Sequence, residues 1–210
     1  MANLITIARF PVLILAIVLL YLPSAPAKLA SVPLLILLIV MDSLDGYVAR
    51  SRNETSLLGS VLDIMADRAV ELALWIVFAH LRLVPVVIPL IFVVRGVAVD
   101  SVRSVGISRG VAPFSTMRTR VGKWLVGSPW MRSSYAIIKA ISFAGLALTN
   151  ALAAFAKGAA VPPDWVTTAH TIFTVTTWIA LVLCLARGIP VVAEAASNLK
   201  EIERGGPTAS

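Results

Sequence analysis

The chain carries apolar blocks long enough to cross a lipid bilayer, and this property excludes most folds before any motif is read. Residues 10–22, FPVLILAIVLLYL, contain no charged side chain, and comparable blocks recur as far as residue 187. A helix needs about 20 such residues to span the hydrocarbon layer, where the backbone must satisfy its own hydrogen bonds. Hydrophobic residues are 59% of the 210 and charged ones only 14%, too little polar surface to wrap a soluble domain. A mean hydropathy of +0.91 agrees. Membrane-spanning strands would alternate apolar and polar residues over about ten positions, which this sequence does not do. The expected architecture is all-α and polytopic, with six transmembrane helices near 4–22, 29–50, 56–80, 83–105, 133–156 and 165–187.

Pro23, Pro26, Pro162 and Pro163 fall between these spans, where a lost helical hydrogen bond matters least. The start has the look of a signal peptide. Its apolar run is long, however, and Arg9 lies inside the segment rather than in a basic leader, so a retained first helix is expected. Residues 1–190 then form one membrane domain. Residues 191–210 form a tail, first amphipathic and lying along the membrane surface, then disordered. The single Cys184 excludes an internal disulfide and suits close packing in its apolar run.

The net charge of +7 would raise the question of nucleic acid in a soluble protein. Here the basic residues collect on one side instead. Arg50, Arg52, Arg109, Arg118, Arg120, Lys123, Arg132, Lys200 and Arg204 share one set of connections, and only Lys28, Arg82 and Lys157 fall on the other. That bias puts the rich side, with both termini, in the cytoplasm, and removes nucleic acid as a partner. The stretch 106–132 carries five of these cations and no acid. It is either an ordinary positive-inside loop or a wall that attracts a phosphate-bearing substrate.

The informative segment is MDSLDGYVARSRNETSLLGSVLDIMADRAVE, residues 41–71. Asp42, Asp45, Gly46 and Ala49 are spaced for one helical face, and Gly59, Asp63 and Asp67 repeat by four on the next helix. The short polar link makes the helices antiparallel neighbours, so four carboxylates converge near one membrane edge. A single aspartate deep in a bilayer costs about 2.5–3.5 kcal/mol, and close carboxylates repel unless a positive charge lies between them. Two hard divalent cations would meet that demand, and oxygen-only ligands suit Mg²⁺ or Mn²⁺ rather than zinc. Gly46, Ala49 and Gly59 either leave room for a phosphate-bearing ligand or allow close helix packing. Arg50 either clamps a diphosphate or snorkels to the interface. Paired intramembrane acids also mark ion paths, so a cation transporter stands as an alternative of a different class.

The whole pattern reads D-x2-D-G-x2-A-R-x8-G-x3-D-x3-D, eight specified positions in 26 residues. At roughly one chance in twenty per position, an accidental match is on the order of 10⁻¹⁰ per start site. The segment resembles the signature of the CDP-alcohol phosphotransferases, also called phosphatidyltransferases, and matches it at every position. The resemblance implies a six-helix membrane enzyme of phospholipid synthesis, usually a homodimer, with its active site at the cytoplasmic face of a bacterial inner membrane or its equivalent. By that likeness Asp42, Asp45, Asp63 and Asp67 hold two Mg²⁺ or Mn²⁺ ions, and Asp67 is also the general base. Gly46, Ala49, Arg50 and Gly59 contact the nucleotide of CDP-diacylglycerol, and CMP is released.

The opening ANLITIARFP resembles the P-N-x2-T-x2-R start of the phosphatidylglycerophosphate synthases, with Ala2 in place of proline. The likeness implies nucleotide contacts from Asn3 and Thr6. Arg95 and Arg103 resemble a paired R-x7-R of the same synthases, and Gly122-Lys123 a later Gly-Lys. Past that point the Lys-Thr-rich continuation is missing. Arg118, Lys123, Arg132 and Lys139 are the remaining candidates for the acceptor, expected to be glycerol-3-phosphate, with inositol phosphate, phosphatidylglycerol or another alcohol as alternatives. His80 and His170 fit packing or interfacial roles. Glu71 extends the aspartate stripe and is expected either to orient a metal ligand or an arginine, or to pair with Arg68 or an arginine of the fourth helix.

Overall fold

A computed structural model describes residues 2–51, 57–108, 124 and 128–205. Among the described residues the long helices are α1 (Ala2–Tyr21), α2 (Ala25–Ser51), α3 (Leu57–His80), α4 (Val87–Ser108), α5 (Pro129–Lys157) and α6 (Pro163–Gly205). Four of them contain stretches long and apolar enough to cross a membrane: Leu4–Tyr21, Ala25–Asp42, Trp130–Lys157 and Pro163–Glu194. α3 and α4 are comparable in length, at 24 and 22 residues, but carry several ionised side chains. The chain is an all-helical, polytopic membrane protein.

The breaks have local causes. α3 ends where Arg82 adopts the left-handed conformation, φ 58°. The Leu83 amide then reaches back to the Phe78 carbonyl at 3.0 Å, and the Arg82 amide to that of Ala79 at 3.0 Å. This paired closure satisfies carbonyls that would otherwise be left open at a helix end. Ala159, φ 55°, closes α5 in the same way, with Ala160 bonded to Phe155 and Ala159 to Ala156. α5 and α6 both begin at a proline, which has no amide hydrogen to leave unpaired in a first turn.

Two boundaries differ from the sequence expectation. α4 starts at Val87 rather than near 83, because the αL turn at Arg82 and then Pro85 hold the chain out of a helix. α6 does not stop near 187. It runs 43 residues with Pro190 inside it, so 191–204 continues the last helix instead of starting anew. Residues 206–210 lie outside the described residues.

Contacts divide the chain into two compact units, Met1–Pro89 with Lys139–Thr177, and Leu90–Ile138 with Trp178–Ser210. In the first, α1 packs on α2 and α3. Its core includes Leu13, Leu20, Leu35, Leu74, Trp75 and Phe78. The rings of Trp75 and Phe143 lie 4.6 Å apart, centre to centre. Close approach of α5 and α6 depends on Gly145: a β-carbon there would stand 1.9 Å from the Phe173 ring. Several polar side chains of this unit are paired. Asn150 donates to the Leu20 carbonyl at 2.9 Å and accepts from Lys28 at 3.2 Å, and Tyr21 and His80 meet at 2.7 Å.

In the second unit, Arg95 of α4 lies against Gly188 of α6, where a β-carbon would come within 2.7 Å of the arginine side chain. Below it Leu90, Val94, Leu185 and Ile189 line an apolar groove of about 540 Å³.

Candidate active site and metal centre

Three helices of the first unit meet at a cluster of charge. α2 contributes Asp42, and α3 contributes Asp63 and Asp67, one helical turn apart. One oxygen from each can be chosen so that all three lie within 4.8 Å of one another. Ligand oxygens at about 2.0–2.6 Å from a shared hard cation would fall inside that spread, so the donors fit Mg²⁺ or Mn²⁺ in both chemistry and reach. Asp42, Asp63 and Asp67 are therefore able to hold a metal ion.

α1 supplies the residue that the sequence reading left without a role in the site. Arg9 is buried, its side chain 4% exposed, and its guanidinium enters the cluster. Nη1 lies 2.9 Å from Asp42 and 3.9 Å from Asp63, while Nη2 donates to Asp67 at 2.7 Å. The planar fork thereby bridges carboxylates of two helices, a geometry that lysine's point charge does not reproduce. The aspartate side chains remain 40–49% exposed, so the cluster is walled by arginine on one side and open on another. The available signal was the arginine itself: a cation well inside an apolar span needs an anionic partner, and the nearby helices hold an excess of acid.

One turn beyond Asp67 the same stripe reaches Glu71, which is buried. It pairs with Lys139 of α5 at 3.2 Å and with Arg68 at 3.5 Å. Lys139, an acceptor candidate in the sequence reading, is thus held by Glu71. The pairing of Glu71 with Arg68 is the one that the spacing offered.

The other expected site residues distribute as follows. Thr6 is buried on α1, one turn before Arg9. Gly59 lies in the first turn of α3. Asn3 is on α1, Asp45, Gly46, Ala49 and Arg50 are on α2, and Arg103 is on α4; their side chains lie outside the described residues, as Arg118 and Lys123 do entirely. The second unit holds Arg95 of α4, Arg132 of α5 and Arg187 of α6. Arg187 stacks on Tyr135, 5.4 Å from the ring centre, and was not singled out from the sequence. The Nε atoms of Arg95 and Arg187 are buried and have no hydrogen-bond partner among the described residues.

A carboxylate triad reached from two helices, with an arginine from a third, suits chemistry on a metal-bound phosphate ester, and comparison with known proteins agrees. The sequence profile of the CDP-alcohol phosphatidyltransferases matches residues 1–199, and the chain belongs to that family. It is an enzyme, a membrane transferase of phospholipid synthesis, which sets aside the cation-transporter alternative. Among curated proteins it is similar to a CDP-diacylglycerol–glycerol-3-phosphate 3-phosphatidyltransferase of Wigglesworthia glossinidia brevipalpis. The two are 28% identical over 142 residues, 64% of this chain and 78% of the relative.

Proposed function

We propose that this enzyme transfers the phosphatidyl group of CDP-diacylglycerol to glycerol-3-phosphate, releasing CMP. The observation that carries the reading is the convergence of Asp42, Asp63 and Asp67 within 4.8 Å on two neighbouring helices, in a chain that belongs to this family. The acceptor is supported by the name of the similar protein and by the arginines of the second unit. Arg95 and Arg187 hold buried Nε donors that an acceptor phosphate would satisfy.

Each residue has a task in the transfer. Asp42, Asp45, Asp63 and Asp67 would hold two Mg²⁺ or Mn²⁺ ions, which neutralise charge on the donor diphosphate and polarise its phosphorus. Asn3, Thr6, Gly46, Ala49, Arg50 and Gly59 would seat the cytidine and diphosphate. Asp67 takes the proton from the acceptor hydroxyl as that oxygen bonds to the β-phosphorus. The bond from this phosphorus to the bridging oxygen breaks, and CMP leaves with the electron pair. Arg50 would balance charge on the departing phosphate. The active site and both termini face the cytoplasm in this reading, as the basic bias predicts, and the enzyme works as a homodimer.

The decisive measurement is CMP release by the purified enzyme from CDP-diacylglycerol, with Mg²⁺ or Mn²⁺ and a panel of acceptors, each product identified by mass. Glycerol-3-phosphate should give phosphatidylglycerophosphate at the highest rate. A product formed faster from inositol phosphate, serine or phosphatidylglycerol would replace the acceptor while leaving the chemistry. No release with any of them would overturn the transfer itself.

A further inference from the structure

Arg9 supplies positive charge to the same three carboxylates that could hold a divalent ion. Its Nη1 lies between Asp42 and Asp63, at 2.9 and 3.9 Å, and its Nη2 touches Asp67 at 2.7 Å. An ion bound to all three carboxylates would stand about 2.0–2.6 Å from each, close to a guanidinium that touches the same acids. Two cations at that separation repel each other. The acids do not readily stay together with no cation at all, since neighbouring carboxylates in a lipid-facing protein repel one another.

We infer that Arg9 is the resident counter-cation of the metal site: it holds Asp42, Asp63 and Asp67 together before metal binds and withdraws from them as the ion enters. Metal loading is then an exchange of one cation for another. The affinity of the site for its ion is set as much by the guanidinium that leaves as by the carboxylates that remain. Arg9 is a positioning residue in this account, acting on the reaction through the carboxylates that it keeps in register. The inference rests on the reading of these three aspartates as metal ligands.

Direct binding of Mn²⁺ to the full-length protein in lipid nanodiscs tests it without turnover, followed by the paramagnetic signal of the free ion. Thermal unfolding is measured alongside, in chelator and in saturating Mn²⁺. Arg9→Gln should bind Mn²⁺ roughly tenfold tighter than wild type, the scale expected for removing a charge a few ångströms away. Its unfolding midpoint should fall in chelator yet match wild type in Mn²⁺, because only the metal-free state uses the arginine. Arg9→Lys, which keeps charge but loses the fork, should tighten binding by a smaller factor and decides alone if the glutamine variant does not fold. Unchanged or weaker Mn²⁺ binding by the variant that folds, or equal loss of stability in both conditions, would overturn the exchange. The metal-site reading fails separately, and takes the exchange with it, if Asp63→Asn binds Mn²⁺ as wild type does.

Discussion

Glu71 and Lys139 meet at 3.2 Å between α3 and α5, the acid buried and the base partly so. The pair lies one helical turn from Asp67, on the stripe that carries the metal candidates. Removing one partner of a buried ion pair leaves the other uncompensated, which costs about 3–5 kcal/mol. We expect Glu71→Ala to destabilise the protein by roughly that amount, at the lower end because Lys139 retains some contact with solvent. The double variant with Lys139→Met should recover much of the loss. Denaturation of the four proteins of this cycle measures the coupling, and additive losses would show that the contact carries no energy.

Asp67 is the carboxylate assigned to the acceptor proton. Asp67→Asn keeps the shape of the side chain and removes its basicity, so CMP release should slow by about 10²–10⁴, the usual contribution of a positioned general base. KM for CDP-diacylglycerol should move much less than kcat. Full turnover by this variant would transfer the role to another group.

Arg187 gives the acceptor a test of its own. A charge-assisted hydrogen bond to phosphate contributes about 1.5–3 kcal/mol, so Arg187→Ala should raise the KM for glycerol-3-phosphate roughly tenfold or more. The KM for CDP-diacylglycerol should stay near its wild-type value. Steady-state kinetics with each substrate varied in turn would show the split, and an equal rise in both would place Arg187 outside acceptor recognition.

Gly145 and Phe173 set the contact of α5 with α6, since the ring fills the space that a side chain at 145 would need. Gly145→Ala should lower stability by about 1–3 kcal/mol through overpacking. Combined with Phe173→Ala the loss should be smaller than the sum of the two single losses, because each relieves the other. Thermal unfolding in one detergent is sufficient to compare them.

Much of this was legible in the sequence, for reasons that particular residues make plain. Apolar blocks reported six helices because lipid imposes one rule on every spanning segment. The four-residue rhythm of Gly59, Asp63 and Asp67 reported a shared face, and the cluster forms there with Asp42. The start of α4 was misplaced because Leu83, Val84 and Val86 are as apolar as the helix that follows. Hydropathy does not register a left-handed arginine at position 82. The end of α6 was misplaced for the opposite reason: polarity rises and Pro190 intervenes, yet the helix continues. Arg9 escaped assignment because its strongest partner is 58 residues away on another helix, and pairing between helices leaves no trace in local spacing. Arg187 sits in the same blind spot, a cation whose aromatic partner, Tyr135, lies on α5.

The length of α6 has a consequence for where the protein changes solvent. At 1.5 Å per residue its 43 residues reach about 64 Å, roughly twice the thickness of a bilayer's hydrocarbon layer. The apolar stretch ends at Glu194, and Lys200, Glu201, Glu203 and Arg204 follow on the same uninterrupted helix. By contrast, α3 and α5 each end in a left-handed turn. At this end the helix carries on from an apolar sequence into a charged one, so composition alone marks where lipid would give way to water.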